Sequence, residues 1–247
     1  MQLQAQCIKK QFCGKITQTI FEGDRMRKLT IWILCLSFLC IPVRASENEK
    51  LVALTFDDGP SGKYTRRLLD GLSERGAKAT FFLCGYRIEQ YPALTERIVK
   101  EGHEIGLHGY SHRTMENMNN TEILQEFEDT RALLPEECQI TFVRSPGGLC
   151  GKCVQSVAEK LGLCVLHWSI DPKDWQMQDT KQIQKAILST VRDGDVILLH
   201  DMSDSSVDAA LAIIDKLQKE GFRFVTASEL AKAKNVPLIA GKKYLRF

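Results

Sequence analysis

From residue 50 to residue 235 the chain alternates short apolar runs with longer amphipathic ones, and this rhythm limits the available folds more than any other feature. Short apolar runs predict strands at Val52–Phe56, Ala79–Leu83, Glu104–Leu107, Ile140–Val143, Cys164–Ser169, Val196–Leu199 and Phe222–Val225. Between them, amphipathic patterning predicts helices at Tyr64–Arg75, Ala93–Glu101, Thr121–Leu134, Val154–Leu161, Thr180–Val191 and Val207–Glu220. Gly76, Gly102, Gly162 and Gly221 each follow one of these helices, where glycine best tolerates a left-handed terminal residue. Thr226 or Ser228 can cap a last helix near Glu229–Lys234. Such alternation points to a parallel sheet, doubly wound or closed into a barrel.

The polar residues choose between the two. Asp57 and Asp58 follow the first predicted strand, His108 the third, Arg144 the fourth, Asp171 and Asp174 the fifth, and His200 the sixth. Groups at the C-terminal ends of so many strands converge on one face of a barrel, whereas an open sheet gathers its site at a single switch point. The expected fold is α/β, a distorted (β/α) barrel of about seven parallel strands.

The N-terminus has a different character. Residues 1–45 hold seven of the 33 Lys and Arg and two of the 31 Asp and Glu, which leaves 26 basic and 29 acidic residues beyond them. That remainder carries no clustered positive charge, so nucleic acid is excluded as a partner. Met26-Arg27-Lys28, the apolar stretch Ile31–Val43 and the small residues Val43 and Ala45 before Ser46 form a signal peptide over 26–45. The apolar stretch is shorter than the roughly 20 residues a membrane helix needs. Export follows whether the segment is cleaved or kept as an anchor, and the membrane is a partner only in the second case. Residues 1–25 are expected to be an upstream mis-start or a cytoplasmic extension, and residues 46–247 the functional domain. Of nine cysteines only Cys84, Cys138, Cys150, Cys153 and Cys164 lie beyond the leader, an odd number that does not make a disulfide scaffold. Cys150-Gly-Lys-Cys153 could close a local disulfide or stay as two thiols; a structural zinc site would need a second ligand pair.

Thr55-Phe56-Asp57-Asp58-Gly59-Pro60 sets two carboxylates side by side at the end of a buried strand. They would repel one another unless something compensates, and a metal on one of them leaves the other free as a base. An Asx turn closing the strand explains the same residues without a metal. His108-Gly-Tyr-Ser-His112 places two imidazoles at i and i+4, the spacing of one helical face, although such a pair also arises by chance on surfaces. With Asp58 the set becomes two histidines and one carboxylate, which suits zinc or another borderline divalent ion poised to activate water. Arg144-Ser-Pro-Gly147-Gly148 adds a cation beside a loop of exposed amides. Asp171-Pro-Lys-Asp174-Trp175 and Leu198-Leu199-His200 add carboxylates and an imidazole. His103 and His167 belong to no motif and read as structural.

In this order the five segments closely resemble the polysaccharide deacetylases with a NodB homology domain, carbohydrate esterase family 4, over residues 50 to 230. That family's motifs are T-F-D-D-G-P, H-[ST]-x-x-H, R-x-P-x-G, D-x-x-D-W and L-x-H, and its NodB fold is a distorted relative of the TIM barrel. The resemblance implies that Asp58, His108 and His112 bind one divalent metal, most naturally zinc, with cobalt or nickel as alternatives. It implies Asp57 as general base, held by Arg144, and His200 as general acid, tuned by Asp174 rather than Asp171. Trp175 and Leu198 would wall the acetyl pocket, and the Gly147 amide would help hold the oxyanion. The implied reaction removes N-acetyl groups from a cell-wall polysaccharide, foremost peptidoglycan, by an exported or envelope-associated monomer. O-acetyl hydrolysis on a xylan-type polymer and a catalytically silent wall-binding protein are the alternatives. Gly109 departs from the family's Ser or Thr, a lost hydroxyl expected to loosen the ligand loop; Leu107 and Gly147 also depart from common family residues.

Overall fold

The computed structural model of the chain describes residues 49–247. The expected leader and the segment ahead of it lie outside the described residues. Among the described residues no helix is long and apolar enough to cross a membrane.

Strand β1 (Lys50–Gly59) is the spine of the sheet. Lys50–Val52 pair with β7 (Phe222–Phe224), Ala53–Asp57 with β6 (Val196–His200), and Leu54–Gly59 with β2 (Ala79–Leu83). From β2 the sheet continues through β3 (Glu104–Leu107), β4 (Phe142–Val143) and β5 (Cys164–Leu166) to β8 (Lys243–Tyr244), every pairing parallel. Beyond β5 the chain crosses to the opposite end of the sheet. Ser169 and Ile170 donate backbone N–H groups to Val196, Leu198 donates to Ile170, and Ile170 bridges Ile197 of β6. The eight-stranded sheet therefore curls into the expected distorted barrel, the seven anticipated strands plus β8.

Nine helices are described: α1 (Gly62–Glu74), α2 (Gly85–Gln90), α3 (Pro92–Lys100), α4 (Asn120–Ala132), α5 (Lys152–Lys160), α6 (Asp174–Met177), α7 (Thr180–Leu188), α8 (Asp204–Lys219) and α9 (Ala227–Ala233). Side chains alternate along β1 as a pleated strand requires. Val52, Leu54 and Phe56 pack outward against Leu68 and Leu72 of α1 and Ile213 of α8. Leu51 and Ala53 face the lumen with Phe82, Leu166, Val196 and, from α9, Leu230. Each large apolar side chain so buried contributes about 1.5–3 kcal/mol.

Helix starts follow their caps. Asn119 and Glu122 form a reciprocal capping box at α4, and Thr226, not Ser228, caps α9 in the same way with Glu229. The four glycines expected after helices all take positive φ, between 59° and 84°. The expected strands at Ile140–Val143 and Cys164–Ser169 are shorter than their apolar runs. After β5 the carbonyls of Leu166 and His167 turn to the Arg144 guanidinium instead of a neighbouring strand. Helix α2, the short α6 and β8 lack the length for a periodic signal and were not anticipated. All five cysteines among the described residues are free, Cys150 half-buried and Cys153 exposed.

Candidate active site

The alternation of β1 aims Thr55 and Asp57 into the barrel lumen, on the same side as Leu51 and Ala53. An unbroken strand would turn Asp58 to the opposite face. Instead the register with β2 slips between Asp57 and Gly59, so Asp58 is an extra, bulged residue, with φ 70°. A bulge re-aims the side chain it carries. Both carboxylates consequently serve one site.

Arg144, at the end of β4, is fully buried beneath that site. Its Nη1 donates to Asp57 Oδ1 at 2.6 Å and to Thr55 Oγ1 at 2.9 Å. Nε donates to the Leu166 carbonyl at 2.7 Å and Nη2 to the His167 carbonyl at 2.8 Å. The guanidinium also lies over the Phe82 ring, 3.9 Å from its centroid. A buried cation is tolerated only when so paired, and this one fixes the direction of the Asp57 carboxylate.

His108 ends β3, and its Nδ1 lies 2.8 Å from the Arg144 carbonyl. A carbonyl only accepts, so Nδ1 carries the hydrogen and Nε2 presents a lone pair. That Nε2 is 3.2 Å from Asp58 Oδ1, and His112 Nε2 is 2.8 Å from the same oxygen. Asp58 Oδ1 is buried without a conventional hydrogen-bond partner. The three donor atoms lie within 4.8 Å of one another. Electron pairs converging on a single point are the arrangement a divalent cation resolves, so these residues fit the metal that the resemblance implies. Burial pushes the Asp58 carboxyl up, but the two imidazoles in their protonated forms would outweigh it by hydrogen bonds and charge, holding the group below the usual carboxylate range. The Asp58 carboxylate in turn raises His112.

The helical face expected for His108 and His112 is not observed. Residues between β3 and α4 form a loop, in which Gly109 has φ 81° and His112 φ 57°. A β-carbon at Gly109 would come within 2.9 Å of Met115 Cε, the end of a flexible side chain, so it is the left-handed turn that favours glycine here. The i, i+4 spacing brings the rings together by a tight turn instead, with centroids 5.3 Å apart.

Across the site, His200 sits opposite Asp57 in the β1–β6 register. Asp174, fully buried at the start of α6, accepts the His200 backbone N–H at 2.8 Å and lies 2.7 Å from its Nδ1. Burial lowers the imidazole, but the hydrogen bond and charge of Asp174 prevail and raise it to about 9. The remaining ring nitrogen, Nε2, is left for other work. Asp171 does not reach His200; its carboxylate closes a turn by accepting the Lys173 N–H. Trp175 stands on α6 beside Asp174 with its side chain largely exposed, while Leu198 is buried on β6. Gly147 lies in a 3-10 turn at φ 68°.

His103 and His167 take no part in this cluster. His103 accepts the Ala79 N–H, and burial lowers it to about 4. His167 stacks on Trp168 and is lowered to about 4, first by burial and then by Arg144. Two acids near the site escaped the motifs. Asp201, next to His200, is wholly buried, accepts the Thr65 hydroxyl and lies beneath Gly59, and burial raises its carboxyl to about 6. Glu126 of α4 accepts the backbone N–H groups of Tyr110 and Ser111. Its signal in the sequence is an acid on the apolar stripe of Ile123, Phe127 and Thr130, where charge is otherwise absent.

A profile of the family described as polysaccharide deacetylase matches residues 44–166. A peptidoglycan-N-acetylglucosamine deacetylase of Bacillus cereus is 37% identical over 194 residues, covering 76% of this chain and 91% of that protein. The peptidoglycan-N-acetylmuramic acid deacetylase PdaC of Bacillus subtilis is 36% identical over 189 residues, but this chain spans only 40% of its length. Among solved structures, a family 4 acetyl xylan esterase from Clostridium thermocellum, in complex with a cobalt ion, superposes with a TM-score of 0.74 at 34% identity. That alignment covers 80% of this chain and 98% of the esterase. On motifs, fold and relatives alike, the chain belongs to the polysaccharide deacetylase family.

Proposed function

We propose that this chain hydrolyses N-acetyl groups on the glycan of peptidoglycan, releasing acetate and leaving a free amine on the sugar. The observation that carries the reading is the pair of opposed dyads, Asp57 with Arg144 and His200 with Asp174, facing each other across β1 and β6 beside three converging metal donors. Amide hydrolysis needs a base for the attacking water, a sink for charge on the carbonyl oxygen and a proton for a poor leaving group. Asp57, held in place by Arg144, takes the proton of the water. His200, held protonated by Asp174, gives one to the departing nitrogen. Asp58, His108 and His112 would hold a divalent cation, and their two-imidazole, one-carboxylate set suits zinc. When bound, such an ion supplies positive charge that polarises the acetyl carbonyl and acidifies water. Gly147, Trp175 and Leu198 complete the pocket, the glycine through its amide and the other two as apolar walls.

The peptidoglycan substrate is supported by the named activity of the Bacillus cereus relative, which this chain matches over nearly its whole length. It also accords with export as a monomeric envelope enzyme. The likeness to an acetyl xylan esterase favours one second reading, O-acetyl hydrolysis at the same site. Acetate release from muropeptides and N-acetylglucosamine oligomers, set against acetylated xylan, separates the two. The first reading expects acetate from the amide substrates in the presence of zinc; release from xylan alone would replace it with the second.

A further inference from the structure

His112 is the least secured of the three metal donors. Its side chain is 40% exposed, against 2% for His108 and 25% for Asp58. Asp58 is fixed by the bulge of β1, and His108 by its strand and by the Arg144 carbonyl. Among the described residues only Asp58 reaches the His112 ring with a polar contact. The position of His112 Nε2 therefore depends on the backbone that leads to it.

That backbone is gripped from two sides. On one, the Gly85 and Tyr86 N–H groups at the start of α2 donate to the carbonyls of Gly109 and Tyr110. On the other, a single buried side chain takes four of the loop's donors. Glu126 Oε2 accepts the Tyr110 and Ser111 N–H groups, each at 2.8 Å. Oε1 accepts the Ser111 hydroxyl at 2.6 Å and Arg113 Nη2 at 3.2 Å. Glu126 is only 7% exposed, and no catalytic motif of the chain includes it. An ionised carboxylate has acceptor capacity for all four donors, whereas an amide has a single accepting oxygen. The anchored residues, 110, 111 and 113, bracket His112 itself.

We propose that Glu126 is the positioning residue of the metal site, setting the stance of His112 through the Tyr110–Ser111 backbone and the Arg113 side chain, and so the affinity of the site for its ion. This rests on the reading of Asp58, His108 and His112 as metal ligands. Outer partners of this kind typically account for a 10- to 100-fold effect on metal affinity. The residue acts before catalysis, so its loss weakens binding of the ion while leaving the chemistry of the loaded site intact.

The test is zinc affinity of the metal-stripped domain, measured by chelator competition for wild type, His112→Ala, Glu126→Gln and Glu126→Leu, with the melting temperature of each stripped protein alongside. The expected result is one zinc per wild-type chain, loss of that zinc in His112→Ala, and zinc binding weakened about tenfold or more in Glu126→Leu. Glu126→Gln keeps the side-chain shape and is expected to weaken binding less, with activity recovering as zinc is raised to saturation. Should the leucine variant fail to fold, the glutamine variant decides by the same measure. Lower melting temperatures with unchanged zinc affinity would make Glu126 merely structural and overturn the proposal. Zinc bound equally by wild type and His112→Ala would instead overturn the ligand assignment beneath it.

Discussion

Two adjacent aspartates have different surroundings, and the proposed function assigns them different work accordingly. Asp57 is buried against a guanidinium, whereas Asp58 faces two imidazoles with an unsatisfied oxygen. Asp57→Asn keeps the shape and removes the base. Turnover is expected to fall about 10²-fold or more while zinc binding persists, as steady-state kinetics and metal analysis of the same preparation would show. His200 must be protonated to act as an acid, so activity is lost as pH rises through its value of about 9. Asp174→Asn removes the charge that holds it there, and the alkaline limb of kcat/KM is expected to move down by about one pH unit or more. Most of these residues were legible in the sequence because each ends a strand within a motif. Asp201 and Glu126 were not, because their partners are hydroxyls and backbone amides far off in the chain, which leave no spacing to read.

At the level of elements, strands and long helices were legible to within a few residues, since burial on one face writes a period into the sequence. The ligand loop was misread as a helical turn because i, i+4 spacing is shared by helices and by tight turns with left-handed residues. Gly109 is the residue that distinguishes them. In this loop the Tyr110 and Ser111 donors meet on Glu126 without a hydroxyl at position 109. Gly109→Ala is expected to destabilise the domain by about 1 kcal/mol or more, through strain at positive φ and pressure on Met115, measured by urea denaturation. Short elements such as α6 and β8 escaped the sequence because three or four residues do not establish a period.

Among the described residues the curled sheet has two seams, β8 alongside β5 and Ser169–Ile170 against β6. Tyr244 and Phe247 fill the lower lumen next to Phe142. Truncation after Gly241 is expected to destabilise the domain by about 3 kcal/mol or more, visible as a fall in melting temperature. Stability should also peak between two titrations. His103 and His167 stay neutral in the fold down to about 4, whereas in the unfolded chain they take up protons near 6.5. Acidification from 6.5 towards 4 therefore favours unfolding. His200, raised to about 9, contributes stability fully present below 6.5 and lost as pH rises through 9. Melting curves across pH 4 to 10 should therefore show a maximum near pH 6.5, with the melting temperature falling on either side. The second seam has one more consequence. Asp174 lies just beyond one lip of it and His200 on the other, so this pair meets only where the seam is closed. On the proposed function, a chain with that seam open would lack its acid and be inactive.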